Sequence, residues 1–230
     1  MGQLAALVSP AYRPLSFERG QEFARTFTKD MVLVMNNFFE SWAFDLIAGE
    51  ANRLAAQAIR RDLFMEESGS WRHMATLGSE ALCRISSIVP YLYRCEDLAS
   101  FLSGVADERV LPVPDRNEQF VLNCLTREGD HHGAHLDTYS FALNLIIETP
   151  PAGRGGVAKI TGTKDQNPTV RFTEKEIPLK AGDVYFMRTN EAVHAVSPIK
   201  SNCRRVMFNF AYRSGADAAS TSYSSSKLYA

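Results

Sequence analysis

This sequence has no excess of charge of either sign. Its 25 basic residues face 26 acidic ones, for a formal charge of -1. A near-neutral chain with no basic stripe is a poor match for a phosphate backbone or an anionic bilayer, so neither nucleic acid nor membrane is expected as a partner. No run approaches the roughly eighteen apolar residues that a spanning helix needs. Cysteine is scarce and scattered: Cys83, Cys95, Cys124 and Cys203 form no CxxC pair. That pattern argues against a disulfide framework or a zinc ribbon, and no secretory signal is legible ahead of it. Free thiols in a reducing cytoplasm are the expectation.

What is present is a chain of 230 residues, 45 % apolar, enough for one sizeable core. One domain, 1–230, is expected. Residues 1–15 read as a loosely held arm and 29–39 as a short strand. Ser41 to about Arg61 reads as a helix, because Ile47, Ala51, Leu54 and Ala58 fall on one stripe. Further helices are expected over 79–88, closed by Pro90, and over 96–105. From about residue 110 the texture changes to short Val/Ile/Phe/Tyr-rich segments between turns: 119–125, 141–148, 155–160, 170–179, 182–187, 194–197 and 204–212. Such a pattern points to a mainly β fold, a sandwich or barrel over 111–213, with the helices of 1–110 against one face. The Ser- and Ala-rich tail, 214–230, is left open between disorder and a flap that folds over a site on ligand binding, where Tyr223 and Tyr229 could close over a small molecule.

Residues 131–137, HHGAHLD, hold three of the five histidines. In a strand, positions i and i+2 share a face, so His135 and Asp137 can point one way. His194, opening a strand after the turn RTNEAV, can supply a third ligand. Two imidazoles and one carboxylate leave about three of six octahedral positions open, the set expected of non-haem Fe(II) oxygenases. A hydrolytic zinc site uses similar donors and stays in competition at this stage. Alternation along RVMFNFAY puts Arg205, Met207 and Asn209 on one face and Arg204 on the other. A guanidinium inside a barrel needs a partner. That partner could be a dicarboxylate co-substrate, or Glu148 or Asp183 in an internal ion pair. Asn123 and Asn144 interrupt strand patterns and could reach the same co-substrate or simply bond across strands.

As a set, His135-x-Asp137, the Gly155-Gly156 turn, Pro178 to Gly182 leading into VYF, His194 and the Arg205 strand resemble the Fe(II)- and 2-oxoglutarate-dependent dioxygenases over about residues 117–213. The resemblance implies a double-stranded β-helix (a jelly roll, cupin-like). It implies Fe(II), 2-oxoglutarate and O2 as the reacting set, with ascorbate as the usual addition in vitro. It also implies that His135, Asp137 and His194 hold the iron and that Arg205 binds the far carboxylate of 2-oxoglutarate. More narrowly, the chain is similar to small bacterial members that hydroxylate or halogenate free amino acids, notably lysine. Halogenating members carry glycine or alanine at the carboxylate ligand; Asp137 is intact here, which favours hydroxylation. The likeness assigns Arg72, with His73 beside it, Glu118 and His132 to the grip on the amino acid. The lysine-specific members have an acidic residue where this chain has Thr138, so the way Thr138 meets the side chain differs. Desaturation, ring closure, a larger natural-product substrate and a non-catalytic jelly-roll binding protein stay open, as does the choice between monomer and homodimer.

Overall fold

The computed structural model describes residues 4–13, 17–163, 174–217, 222 and 224–229. Twelve strands form one antiparallel sheet: β1 (Val32–Met35), β2 (Ile59–Met65), β3 (Ser70–Leu77), β4 (Val110–Pro112), β5 (Phe120–Leu125), β6 (His131–His135), β7 (Phe141–Glu148), β8 (Ala158–Thr163), β9 (Lys175–Ile177), β10 (Val184–Arg188), β11 (Ala192–Val196) and β12 (Arg205–Ser214). The hydrogen-bonded order is β1-β10-β7-β12-β5-β3-β6-β11-β8-β9, with β2 on β3 and β4 on β12. Val32 at one end of this path shares an apolar cluster with Ala158, Ile160 and Ile177 at the other. The sheet therefore curls back on itself, which gives the jelly roll expected of the sequence.

Helices α1 (Leu4–Leu7), α2 (Phe17–Asp30), α3 (Ser41–Ala55), α4 (Ser79–Ile85), α5 (Ile88–Tyr93) and α6 (Glu96–Ala106) lie on the chain's N-terminal side. Their apolar stripes, with Phe27, Ile47, Leu54 and Leu102, pack on the outward residues of the sheet, including Phe120, Leu143, Phe186, Phe208 and Phe210. Each such side chain contributes about 1.5–3 kcal/mol of burial. This layer fixes the register. With Val206, Phe208 and Phe210 held against helices, Arg205, Met207 and Asn209 must face the interior of the roll.

Several expectations need correction. The helix from Ser41 stops at Ala55, and Ile59 already belongs to β2. The β2–β3 hairpin was hidden because it carries Ile59, Phe64 and Trp71 at exposed positions on both faces, which blurs the alternation. Pro90 does not close a helix; it lies in the first turn of α5, where its missing N–H costs nothing. The arm is not loose: Val8 is buried, bridges Phe39, and Ser9 N donates to the Phe38 carbonyl at 2.9 Å. Helix α2 lies in a stretch that had been given no element. Of the expected strand 170–179, only Lys175–Ile177 is a strand, and 170–173 lie outside the described residues.

Candidate metal centre and its cavity

Strand β6 runs beside β11 with His135 opposite His194. The rings sit 4.2 Å apart between centroids. Asp137 lies beyond the end of β6, so the strand-face argument that paired it with His135 does not apply as stated. Instead its backbone N–H donates to the Thr189 carbonyl at 3.0 Å. That bond turns the carboxylate toward both imidazoles: Oδ1 is 3.2 Å from His135 Nε2, and Oδ2 is 3.8 Å from His194 Nε2. One donor atom from each of the three side chains falls within 4.8 Å of the others, the grouping that a single ion requires.

The tautomers fit a metal as well. His135 Nδ1 donates to the Gly133 carbonyl and His194 Nδ1 to the Ala192 carbonyl, each at 2.9 Å. A carbonyl can only accept, so each Nδ1 carries the proton and each Nε2 presents a bare lone pair. Burial, and then His135, pull the His194 imidazole down to about 4, so it is neutral near pH 7. Burial works against ionising Asp137, but the two histidines and Thr189 outweigh it and hold the carboxyl down to about 2.

The triad opens into a cavity of about 410 Å³ inside the roll. At its β12 wall, Arg205 is 3 % exposed. Its Nη1 lies 2.7 Å from the Met207 sulfur, and its Nη2 has no partner. The ion pair with Glu148 or Asp183 that the sequence left open does not form. Glu148 pairs at the surface with Arg204, at 3.3 Å, and Asp183 accepts from the backbone of Asn37 and Lys180. Asn123 also lines the cavity and its buried Oδ1 is unpartnered, whereas Asn144 accepts from Asn209 at 2.9 Å. The cross-strand bond weighed for Asn144 is therefore present.

The opposite wall is built from distant parts of the chain. Arg72, 2 % exposed, points inward from β3. Its Nη1 donates to Ser70 Oγ at 2.7 Å, and its Nε is buried without a partner. The alternative of a surface arginine over Trp71 is wrong, because only Trp71 is on the outside. His73 is turned away from the cavity by the same alternation: it stacks on Trp71 and lies 2.8 Å from Asp62. Its assignment to the substrate is corrected accordingly. His132 stacks on His135 at 4.2 Å, and burial followed by the charges of His135 and Arg72 keeps it uncharged. Glu118 is buried and accepts from Ser224 Oγ. Burial is the main reason its carboxyl is pushed up to about 7. Thr138 lines the cavity and donates to Ser222 Oγ at 3.4 Å.

The tail is the largest surprise among the described residues. A helical turn, Ser225–Tyr229, packs on β3, with Thr76 Oγ1 donating to the Leu228 carbonyl at 2.7 Å. Ser224, Leu228 and Tyr229 thereby become cavity wall. Tyr223 lies outside the described residues. Serines 222 and 224 carried no signal in a Ser-rich stretch, and neither did Thr189, whose place is set by a turn.

Fold and triad together match the two-histidine, one-carboxylate arrangement that non-haem Fe(II) oxygenases use. The sequence matches the halogenase D family model over residues 15–229, and the chain belongs to that family. No protein of curated function matches it. Among solved structures, the epimerase SnoN of nogalamycin biosynthesis, in complex with Fe3+, alpha-ketoglutarate and nogalamycin RO, has a TM-score of 0.66 at 15 % identity, over 90 % of this chain and 88 % of that one. AviO1 of Streptomyces viridochromogenes Tue57 gives 0.65 at 14 % identity, over 90 % and 100 %. A prolyl-4-hydroxylase of Pseudomonas putida gives 0.59 at 15 % identity, over 85 % and 98 %. At these identities the likeness speaks for the fold. No helix among the described residues is long and apolar enough to cross a membrane.

Proposed function

We propose that this chain hydroxylates an unactivated C–H bond of a free amino acid or simple amino-acid derivative, using Fe(II), 2-oxoglutarate and O2. The observation that carries the reading is an intact His135–Asp137–His194 donor set sharing one cavity with the buried guanidinium of Arg205, which has no carboxylate partner and an unpartnered Nη2. His135, Asp137 and His194 would hold the iron. When bound, the iron supplies the oxidation of 2-oxoglutarate by O2 and the cleavage of the C–H bond. A lone buried Nη2 fits the distal carboxylate of 2-oxoglutarate, which would accept from Arg205 by a charge-assisted bond. Asn123 stands beside that guanidinium's wall with a free acceptor.

The chain's own groups would then orient the substrate. Arg72 meets an α-carboxylate and Glu118 an α-ammonium, while His132 packs behind the triad. Met65, Met74 and Leu228 limit water around the reacting carbon. The intact carboxylate of Asp137 supports hydroxylation over the halogenation that the family's name would suggest. The test is turnover of the twenty amino acids and simple derivatives with Fe(II), ascorbate and 2-oxoglutarate. The expected result is succinate formation and a product heavier by one oxygen, supported by Fe(II) and not by Zn(II). Absence of both with every amino acid, while 2-oxoglutarate still binds, would favour the non-catalytic reading. A product lighter by two hydrogens would favour desaturation.

A further inference from the structure

We infer that the substrate is an α-amino acid whose side chain carries no positive charge. This deepens the proposed function and rests on it. Among the described residues, three carboxylates line the cavity, Glu67, Glu118 and Asp137, against two guanidiniums, Arg72 and Arg205. Each charge has one use. Asp137 is committed to the metal and Arg205 to the co-substrate. Arg72 is buried with no carboxylate beside it and an unpartnered Nε, so it calls for one anion from the ligand. Glu118 is buried on the same cavity beside serine hydroxyls and no cation, so it can take one. The α-carboxylate and α-ammonium of a single amino acid meet both demands and leave none over.

A second ammonium would find no further enclosed carboxylate, only the neutral acceptor of Asn123. The wall that joins Thr138 to Glu118 is hydroxyl and hydrocarbon. Thr138, Ser222, Ser224 and Glu118 form a chain of hydrogen bonds in which Glu118 is the one carboxylate that lines the cavity. Asp115 stands behind it, outside the lining, and accepts from Ser222 N, Ser225 Oγ and Asn117 N. Tyr229, Met74 and Leu228 add no charge. Glu67 is exposed at the mouth, where water screens it. An enclosed ammonium without a counter-ion is strongly disfavoured, so lysine and ornithine are expected to bind worse than their uncharged analogues.

The experiment is anaerobic calorimetry on the Fe(II)- and 2-oxoglutarate-loaded protein at pH 8, with matched pairs: norleucine against lysine and norvaline against ornithine. The uncharged member of at least one pair is expected to bind at least tenfold tighter than its diamino partner. A diamino acid binding as tightly or more tightly overturns the inference and leaves the amino-acid reading standing. If no member of either pair binds while 2-oxoglutarate does, the amino-acid reading falls and this inference with it. Thr138→Asp, which adds a carboxylate to the uncharged wall, is expected to narrow the gap at least tenfold. An unchanged gap, with iron and 2-oxoglutarate still bound, overturns the charge count.

Discussion

The two ends of the cavity are built in opposite ways. The metal end draws on neighbouring strands, with His135 and His194 directly opposite each other and each ring locked by a carbonyl two residues away. The substrate side, which begins beside the metal where Arg72 pairs with His132 across strands, gathers Arg72, Glu118 and Ser224 from widely separated stretches of chain and is completed by the turn at Ser225–Tyr229 on β3. The metal end lies wholly within residues 131 to 196, in two adjacent strands and one turn. The other end reaches on to the C-terminal turn, so chemistry and substrate choice fall to parts of the fold with different determinants.

The contrast can be broken most severely at Asp137. Asp137→Ala is expected to lower turnover by at least about 100-fold, more than loss of an orienting partner costs a metal site, while the far-UV spectrum and melting stay those of a folded roll. Succinate assays and bound-iron analysis check this, and undiminished turnover with full iron would mean that another carboxylate is the ligand. Next come the adjacent arginines. Arg205→Ala is expected to raise the 2-oxoglutarate requirement about 10- to 100-fold, the value of a charge-assisted bond, read as KM for 2-oxoglutarate. Arg204→Ala, which breaks a surface pair with Glu148, should leave it unchanged.

At the other end, Arg72→Ala should weaken amino-acid binding about tenfold or more without moving the 2-oxoglutarate affinity. The neighbouring His73→Ala should do neither, since His73 stands on the outer face. The smallest effect concerns pH. Glu118 is pushed up to about 7, mainly by burial. Between its unfolded value near 4.5 and about 7 the folded state holds the extra proton, so stability falls as pH rises through that window. His132 and His194, both held neutral by burial, push the other way over the same range. The check is therefore a difference: between pH 5 and 7 the melting temperature of metal-free Glu118→Gln is expected to change in a more positive direction than that of the unaltered protein.

The same contrast explains what could be read from the chain alone. Strand alternation was enough to separate Arg205 from Arg204, because helices cover one face and force the register. HxD with a later histidine was enough for the triad, although Asp137 reaches it through a turn held by Thr189. The β2–β3 hairpin escaped notice because exposed Ile59, Phe64 and Trp71 imitate a buried pattern. His73 was misplaced for want of that hairpin's register. Nothing local marks Ser222, Ser224 or the tail turn, whose positions follow from contacts more than 80 residues away in sequence.

Gly78 gives this arrangement a practical handle. A methyl group there would sit 2.4 Å from the Tyr229 carbonyl oxygen and 2.8 Å from its Cβ, closer than such atoms can approach. Only the smallest residue lets that turn settle into the mouth of the roll. Exchanging it for alanine would prise the turn outward and enlarge the chamber, a way for an enzyme engineer to admit bulkier molecules while leaving the three metal-holding side chains and Arg205 untouched.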